Sequence, residues 1–268
     1  MRIPIYQVDA FTDRPFGGNP AAVCPLTDWL DDTVLQDIAA ENNLSETAFI
    51  VPEGEGWRLR WFTPALEVDL CGHATLATAH VLFSELAPER EDLRFETRSG
   101  TLRVRRSEAG LTMDFPALPP EPAVEDAALI EVLGATPQAL HPIRAVHGSR
   151  YVMAVFAREA DVAALDPDTR RMGTELSCNT IATAPGETVD FVSRFFAPAS
   201  GIDEDPVTGS AHCTLTPYWA GRLGRTTLTA RQISRRGGDL TCELQGDRVL
   251  LSGRCVTFLK GDIALDPA

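Results

Sequence analysis

The chain has 268 residues, of which 44% are hydrophobic and 23% are charged, a composition that excludes disordered, collagen-like and membrane-bundle proteins. At about 150 residues per domain, this length predicts one large domain or two of about 134 residues each. The 38 acidic and 24 basic residues give a net charge of −14. Because nucleic acids and anionic bilayers require a coherent basic face, we exclude both as partners.

Neither a membrane segment nor a metal site is predicted. The sequence has no run of 18 apolar residues, and Met1–Gln7 lack the apolar stretch of a signal peptide, so we predict a cytoplasmic protein. The six cysteines are scattered without a C-x-x-C pair, which predicts reduced, mostly buried thiols for all of them except Cys71. His73 and His80 are separated by about 10 Å along a predicted helix, which is too far to bind one ion together.

Apolar runs between turn signals predict the strands of the first half of the chain. These strands are 3–10, 44–51, 57–62, 95–105 and 111–115. Helical spacing predicts a helix over Leu30–Ile38, behind acidic residues, and another over Gly72–Leu86. The second helix is small and apolar nearly all round, which is typical of a helix buried inside a domain and surrounded by sheet.

A proline-rich segment at 116–122 predicts a linker to the second half, followed by a helix over Ala127–Leu133 that Gly134 ends. The predicted strands beyond it are 151–156, 189–196, 231–234, 240–244 and 249–252. A second inner helix is predicted to begin near Gly209. We expect Pro217 to kink that helix or to end it early, because proline cannot donate a backbone hydrogen bond.

The two halves resemble each other in sequence. Residues 60–69 (RWFTPALEVD) match residues 194–203 (RFFAPASGID) at five of ten positions, with an offset of 134 residues. Two further matches follow in the same order, Cys71–Ala74 with Thr208–Ala211 and Gly100–Leu102 with Gly238–Leu240, at offsets of 137 and 138. Matches that keep their order and nearly their spacing indicate an internal repeat.

The repeat predicts an α+β fold of two pseudo-symmetric domains, each with sheets wrapped around one central helix. The predicted domains are residues 1–118 and 119–255. Two related domains leave a cleft in which corresponding elements meet, and we predict the active site there.

The turns that open the two inner helices are candidates for ligand binding. A helix N-terminus presents free N–H groups and a partial positive charge, and glycine lets a ligand approach the backbone closely. Gly72 and Gly209 therefore predict a site for a small carboxylate or phosphate, with Ser210 beside the second turn. Ordinary helix starts are the alternative interpretation.

Titratable residues near these turns are candidates for proton transfer. The run Asp203–Asp205 crowds three carboxylates, which favours a carboxyl group able to exchange protons at neutral pH, although a solvated acidic loop has the same composition. Glu46 interrupts an otherwise apolar strand face, which indicates either catalysis or an edge-strand charge that opposes aggregation. His73 could orient substrate or relay a proton, or it could be a core histidine.

Four motifs carry a family resemblance: DAF at 9–11 with GGNPAAV at 17–23, LSETAF at 44–49, DLCGHAT at 69–75 and EDPVTGSA at 204–211. Together they resemble the phenazine-biosynthesis PhzF-like proteins of the diaminopimelate-epimerase fold superfamily. The resemblance implies a homodimeric, cofactor-free isomerase that moves a proton on a small carboxylate. It also implies that the C-terminal stretch 256–268 returns to complete the first domain. It assigns acid and base roles to Glu46, His73 and Asp205, and substrate binding to Gly72, Gly209 and Ser210.

Cys71 leaves two other functions open. Diaminopimelate epimerases use one thiol from each half, whereas here Cys71 aligns with Thr208, whose hydroxyl cannot replace a thiolate as base. A symmetric two-thiol racemase is therefore disfavoured, and Cys71 is predicted to contact substrate. The alternatives are an amino-acid epimerase that uses Cys71 with a carboxylate partner, and a non-catalytic small-anion-binding protein on the same fold.

Overall fold

The structure is a computed structural model that describes residues 1–146 and 149–265. Its chain divides into two compact units, which we call the first unit (Met1–Asp114 with the segment from Ser252 onward) and the second unit (Phe115–Leu251). These units are spatial clusters of contacts, and the boundaries predicted for two homologous domains stay a prediction.

The strands in chain order are β1 (Arg2–Ala10), β2 (Asn19–Pro25), β3 (Glu46–Glu53), β4 (Gly56–Phe62), β5 (Glu67–Val68), β6 (Asp92–Thr97), β7 (Gly100–Ser107), β8 (Gly110–Pro116), β9 (Ala139–Val146), β10 (Ser149–Val155), β11 (Cys178–Pro185), β12 (Phe191–Ala197), β13 (Ile202–Asp205), β14 (Thr227–Gln232), β15 (Gly238–Gln245), β16 (Arg248–Gly253) and β17 (Cys255–Ala264). The α-helices are α1 (Asp32–Asn42), α2 (Gly72–Val81), α3 (Ala127–Leu133), α4 (Glu159–Ala163), α5 (Thr169–Thr174) and α6 (Gly209–Leu223). None of these helices, within the described part of the chain, has the length and apolar character needed to cross a bilayer.

Strands β1 to β4 of the first unit pair in sequence, antiparallel between β1 and β2, parallel between β2 and β3, and antiparallel between β3 and β4. Strand β4 then pairs in parallel with β6, which continues antiparallel through β7 to β8. On the other side, β17 pairs antiparallel with β1. Strand β17 therefore belongs to the first unit, and residues 266–268 of the C-terminal stretch lie outside the described part.

The second unit repeats this order. Strands β9 to β12 pair antiparallel, parallel and antiparallel, β12 pairs in parallel with β14, and β14 pairs antiparallel with β15. In each unit the inner helix, α2 or α6, lies in the chain just before the strand that joins the sheet in parallel. This common order agrees with the inferred repeat, whose origin by duplication stays a prediction.

The buried inner helix predicted in the first unit is confirmed. All residues of α2 except Gly72 and His80 are buried, and the helix packs against β1, β2 and β3. Because its side chains are small and apolar on every side, the helix loses little by being surrounded. The predicted last turn is instead a π-helix at Leu82–Leu86.

The prediction that Pro217 ends the second inner helix early is wrong, because α6 continues to Leu223. Proline at position 217 cannot donate to the carbonyl of Cys213 four residues earlier. That carbonyl accepts a hydrogen bond from the backbone N–H of Leu118 in the predicted linker, at 2.9 Å. The linker therefore supplies the donor that proline lacks.

Other strand predictions need correction. The single strand predicted at 95–105 is two strands, β6 and β7, separated by a turn at Arg98–Ser99. Strands β9 and β11 were not predicted, since β9 contains His141 and Pro142 and β11 is rich in threonine and alanine. Apolar periodicity is weak in both segments, and they become strands by pairing with β10, which lies between them.

Candidate functional site

The chain between β1 and β2 places Asn19 in the interior of the first unit. Gly18 has a φ of +61°, and a Cβ atom there would lie 2.0 Å from the carbonyl oxygen of Ala10, so only glycine fits this turn. The carboxylate of Asp9 accepts a hydrogen bond from the backbone N–H of Phe16 at 2.9 Å, which holds the same loop. Asn19, the next residue, is fully buried.

Glu46 lies at the first position of β3, beside β2. The parallel register pairs Ala21 with Glu46, and β3 is also paired with β4 on its other side. The alternative that Glu46 is an edge-strand charge is therefore wrong. Its carboxylate lies among buried neighbours, with 13% of the side chain exposed.

The turn that opens α2 brings Cys71 and His73 to the same place. Cys71 is the N-cap residue in an extended conformation, and its side chain makes no capping hydrogen bond. The first helical hydrogen bond runs from the N–H of Thr75 to the carbonyl of Cys71, at 3.2 Å. Both Cys71 and His73 are buried, and the imidazole of His73 points away from solvent.

Three side chains meet at the imidazole of His73, and we call the four residues Asn19, Glu46, Cys71 and His73 the histidine cluster. Glu46 Oε2 lies 3.0 Å from His73 Nε2. On the other edge of the ring, Asn19 Nδ2 lies 3.2 Å and Cys71 Sγ lies 3.5 Å from His73 Nδ1. The cluster therefore joins a carboxylate, an imidazole and a thiol in direct contact.

The Glu46–His73 contact is an ion-pair contact and not an aligned hydrogen bond. Although the two atoms are 3.0 Å apart, neither Glu46 Oε2 nor His73 Nε2 has a hydrogen-bond partner of good geometry among the described residues. A buried polar atom left in this way is costly unless a further group completes its bonding. Both atoms are therefore suited to bind or protonate a ligand.

Burial and neighbouring charge act in opposite directions on these groups. Burial alone would lower the pKa of His73, but the Cys71 thiol group and the Glu46 carboxylate beside the ring outweigh it and raise that pKa well above 6.5. Burial, with the nearby Glu46 carboxylate, raises the pKa of the Cys71 thiol to about 11. At neutral pH the cysteine is therefore a thiol, so the His73 pKa is raised chiefly by Glu46.

Glu46, Cys71 and His73 are also the only group of three potential metal ligands found in the described part of the chain, with ligand atoms within 4.8 Å of one another. Glu46 Oε2 contacts His73 Nε2, whereas Cys71 Sγ contacts His73 Nδ1. The carboxylate and the thiol therefore approach the ring at different nitrogens.

Asp205, predicted to act in proton transfer, lies in the second unit at the turn that opens α6. Its carboxylate accepts a hydrogen bond from the hydroxyl of Thr208. The side chain of Gln232, which is fully buried, accepts from the N–H of Thr208 at 2.9 Å and donates to the carbonyl of Asp205 at 2.7 Å. Gly209 is buried and Ser210 is exposed at the start of the helix.

The expected crowding of carboxylates at Asp203–Asp205 is wrong. Glu204 makes a bidentate ion pair with Arg194, with oxygen–nitrogen distances of 2.7 and 2.9 Å. Successive side chains of a strand point to opposite sides, so Glu204 lies on the face opposite to Asp203 and Asp205. The three carboxylates therefore do not gather at one point, and the role predicted for Asp205 stays a prediction.

Sequence reasoning missed roles for two residues that organise these turns. Asn19 belongs to the quoted GGNPAAV motif, where a buried asparagine after two glycines is the signal that could have identified it. Gln232 ends a strand and carries no local signal, since its partners Asp205 and Thr208 are 27 and 24 residues away. The structure brings Glu46, Gly72, Cys71 and His73 together in the first unit, and Asp205, Gly209 and Ser210 in the second.

Comparison with known proteins gives a consistent family match. The model of the phenazine biosynthesis-like protein family (PhzC-PhzF) matches residues 8–261. Two proteins from Pseudomonas aeruginosa, each named an uncharacterized isomerase, are 52% and 50% identical to this chain over 266 and 265 residues. The alignments cover 99% of this chain and all of each relative.

Solved structures of other proteins have the same fold as this chain. The crystal structure of a phenazine biosynthesis protein of the PhzF family from Enterococcus faecalis has 46% sequence identity and a TM-score of 0.92, over 99% of this chain and all of that one. A predicted epimerase from Pseudomonas aeruginosa shares the fold at 19% identity, with a TM-score of 0.74 over 98% of this chain and all of that chain. The α+β, epimerase-like fold expected from the sequence is confirmed.

Proposed function

The chain is an isomerase that belongs to the phenazine biosynthesis-like protein family, and we propose that it moves a proton on a small carboxylate with Glu46 as general acid and base. The observation that carries this proposal is the pair formed by Glu46 Oε2 and His73 Nε2. They lie 3.0 Å apart, buried, and without aligned hydrogen-bond partners among the described residues.

In the proposed reaction the Glu46 carboxylate removes a proton from one carbon of the substrate and returns it to another carbon of the same molecule. Because the proton returns to the same molecule, the reaction is an isomerisation and consumes no further reactant. His73 stabilises the Glu46 carboxylate before and after the transfer, because its imidazole lies 3.0 Å away and the raised pKa favours a positive charge there. Burial favours this exchange by keeping competing water away from both groups.

The start of α2 supports a carboxylate substrate. Cys71 provides no side-chain cap there, so the first N–H groups of the helix, beginning at Gly72, have no partner within the helix or from the cap residue. Such a terminus stabilises a negative charge. A chain of net charge −14 attracts no anion in general, so local donors of this kind are needed. We further propose that the substrate contacts Asp205, Gly209 and Ser210.

Hydrogen–deuterium exchange in deuterated water tests the role of Glu46. A panel of small carboxylates with an acidic C–H group would be incubated with the enzyme, and carbon-bound deuterium measured by NMR. We expect Glu46→Gln to lower the exchange rate of a turned-over compound by about 100-fold or more, since a positioned general base contributes that much. Glu53→Gln is the matched control, because Glu53 ends the same strand but is exposed and faces Arg58.

Exchange retained in Glu46→Gln would remove Glu46 from the mechanism. Exchange lost equally in Glu53→Gln would indicate a general effect on the strand. A wild-type protein that binds carboxylates and exchanges none of them would instead favour the non-catalytic anion-binding alternative.

A second candidate function is an epimerase in which Cys71 is one of the two proton carriers. The observation that favours it is the 3.5 Å contact between Cys71 Sγ and His73 Nδ1, through which the imidazole could take the thiol proton. The raised pKa of the thiol opposes it. In this case Cys71→Ala would abolish exchange, whereas under the Glu46 proposal Cys71→Ala would retain most of it.

A further inference from the structure

The hydrogen bonds around Asn19 have a definite direction. The hydroxyl of Ser45 donates to Asn19 Oδ1 at 3.3 Å, so the oxygen of the side-chain amide faces Ser45. The NH₂ group then faces His73 Nδ1, at 3.2 Å. An NH₂ group can only donate, so Nδ1 must be the acceptor and cannot carry a proton when this bond is made.

We infer that Asn19 is a positioning residue that selects the tautomer of His73, so that the neutral ring carries its proton on Nε2, directed to the side of Glu46. The two ring nitrogens are chemically distinct, and the hydrogen bond at one of them decides the protonation of the other. This inference deepens the proposed function, and its catalytic meaning rests on Glu46 being the general acid and base.

Asn19 is well placed for this task because the backbone leaves it little freedom. It is fully buried at the first position of β2, paired opposite Ala10 of β1. The preceding turn requires glycine at position 18, where a Cβ would collide with the same Ala10. With the backbone fixed in this way, the hydrogen bond from the Ser45 hydroxyl to Asn19 Oδ1 orients the amide so that its NH₂ group faces the imidazole.

The neutral tautomer has a consequence for both carboxylate and thiol. With the proton on Nε2, the neutral ring directs its single N–H toward Glu46 Oε2, 3.0 Å away, and stabilises the carboxylate without giving up that proton, since losing it would leave an imidazolate anion. With Nδ1 as acceptor, the Cys71 thiol at 3.5 Å can only donate to the ring and retains its proton. Asn19 therefore favours the Glu46 mechanism over the one that uses a Cys71 thiolate.

The ¹⁵N NMR spectrum of histidine-labelled full-length protein tests this inference directly. The chain contains five histidines, and His73→Gln identifies the His73 signal by its loss. In the wild-type protein, above the pH at which His73 titrates, we expect the Nε2–H tautomer. In Asn19→Asp the new carboxylate accepts from Nδ1–H, so we expect the Nδ1–H tautomer and a still higher pKa of His73.

Asn179→Asp is the matched control, because Asn179 is equally buried and its side chain makes hydrogen bonds with Ala199 and Ser200. It adds the same buried carboxylate in the second unit, and the His73 signal should keep the wild-type tautomer. If Asn19→Asp does not fold, Ser45→Ala serves instead. Because Ser45→Ala removes the donor to Asn19 Oδ1, we expect His73 in this variant to be a mixture of the two tautomers.

An Nδ1–H tautomer in the wild type, or an unchanged tautomer in both Asn19→Asp and Ser45→Ala, would overturn the inference. The spectrum needs no substrate, so its result does not depend on whether the proposed function is correct. Where exchange can be measured, Asn19→Asp should lower it by about 100-fold with ligand affinity preserved. A wild-type Nε2–H signal together with full activity of Glu46→Gln would refute the proposed function and leave the tautomer assignment intact.

Discussion

At the turn that opens α2, Cys71 has φ −144° and ψ 112°, and at the turn that opens α6, Thr208 has φ −114° and ψ 105°. Both residues are extended, both precede a glycine, and neither side chain caps its helix. The side chains around them differ. Cys71 belongs to a cluster of thiol, imidazole and carboxylate, whereas Thr208 belongs to a network of hydroxyl, amide and carboxylate closed by Gln232.

The two inner helices also carry buried histidines of opposite character. His73 lies beside Glu46, and the raised pKa favours its charged form. His212, one turn into α6, donates from Nδ1 to the carbonyl of Thr208 at 2.8 Å and packs against Phe191. Burial lowers the pKa of His212 to about 4. The opening of an inner helix can therefore hold a histidine whose charged form is favoured or a histidine whose neutral form is favoured.

The largest expected effect is a difference in proton-exchange activity between variants of His73 and variants of His212. We expect His73→Gln to lower proton exchange on a turned-over carboxylate by about 100-fold or more, because it removes the partner of Glu46. His212→Asn keeps a donor for the carbonyl of Thr208 and should leave the rate within about threefold of wild type. The measurement is deuterium incorporation by NMR. Equal losses in the two variants would show that the contrast between the turns is not functional.

The second effect concerns stability in acid. Unfolded His212 binds a proton near pH 6.5, whereas the folded protein binds it only near pH 4, so protons favour the unfolded state between these values. Stability is therefore present above pH 6.5 and is lost as the pH falls to 4, by about 3 kcal/mol from this group. Urea unfolding of wild type and His212→Asn at pH 7 and pH 4.5 measures the difference. An equal acid loss in both proteins would contradict the assignment.

His73 should contribute in the opposite sense. Its folded pKa is raised above the unfolded value, so its contribution is fully present below pH 6.5 and is lost as the pH rises through the folded pKa. In the same unfolding series, His73→Gln should therefore lose stability relative to wild type mainly on the acid side.

A third and smaller effect tests the network in the second unit. Gln232→Met keeps the volume of the side chain but leaves the N–H of Thr208 and the carbonyl of Asp205 without that partner. An unsatisfied buried backbone group costs about 2 kcal/mol of unfolding free energy. Gln245→Met, on an exposed glutamine, is the control and should change stability by less than about 0.5 kcal/mol. A similar small change in both would show that Gln232 does not hold the turn.

The smallest effect concerns Pro217, which has no counterpart in α2. Because the N–H of Leu118 already donates to the carbonyl of Cys213, Pro217→Ala should change stability by less than about 1 kcal/mol. Leu118→Pro removes that donor and should cost about 1 to 2 kcal/mol. Combining the two changes should recover part of this loss, since the backbone N–H of an alanine at position 217 can then donate within the helix. Strict additivity in urea unfolding would contradict the proposed replacement.

Local patterns identified much of this fold. The predicted helix Ala127–Leu133 coincides with α3, because its ends are marked locally: the side chain of Asp126 accepts from the N–H of Leu129, and Gly134 adopts the left-handed conformation. Glu46 could be singled out as a carboxylate in an apolar strand. Strand β11 could not, because its strand character comes from its neighbours β10 and β12 and not from its own periodicity.

The sequence by itself determined the family, the epimerase-like α+β class, and the inner helices with their glycine openings, because caps, periodicity and motifs act over a few residues. Only the tertiary structure decided that His73 meets Glu46, Cys71 and Asn19, and that Thr208 meets Gln232. His73 and Asn19 are 54 residues apart in the chain. Their contact depends on the register of β2 against β3 and on the packing of α2 against them, and neither is a local property of the chain.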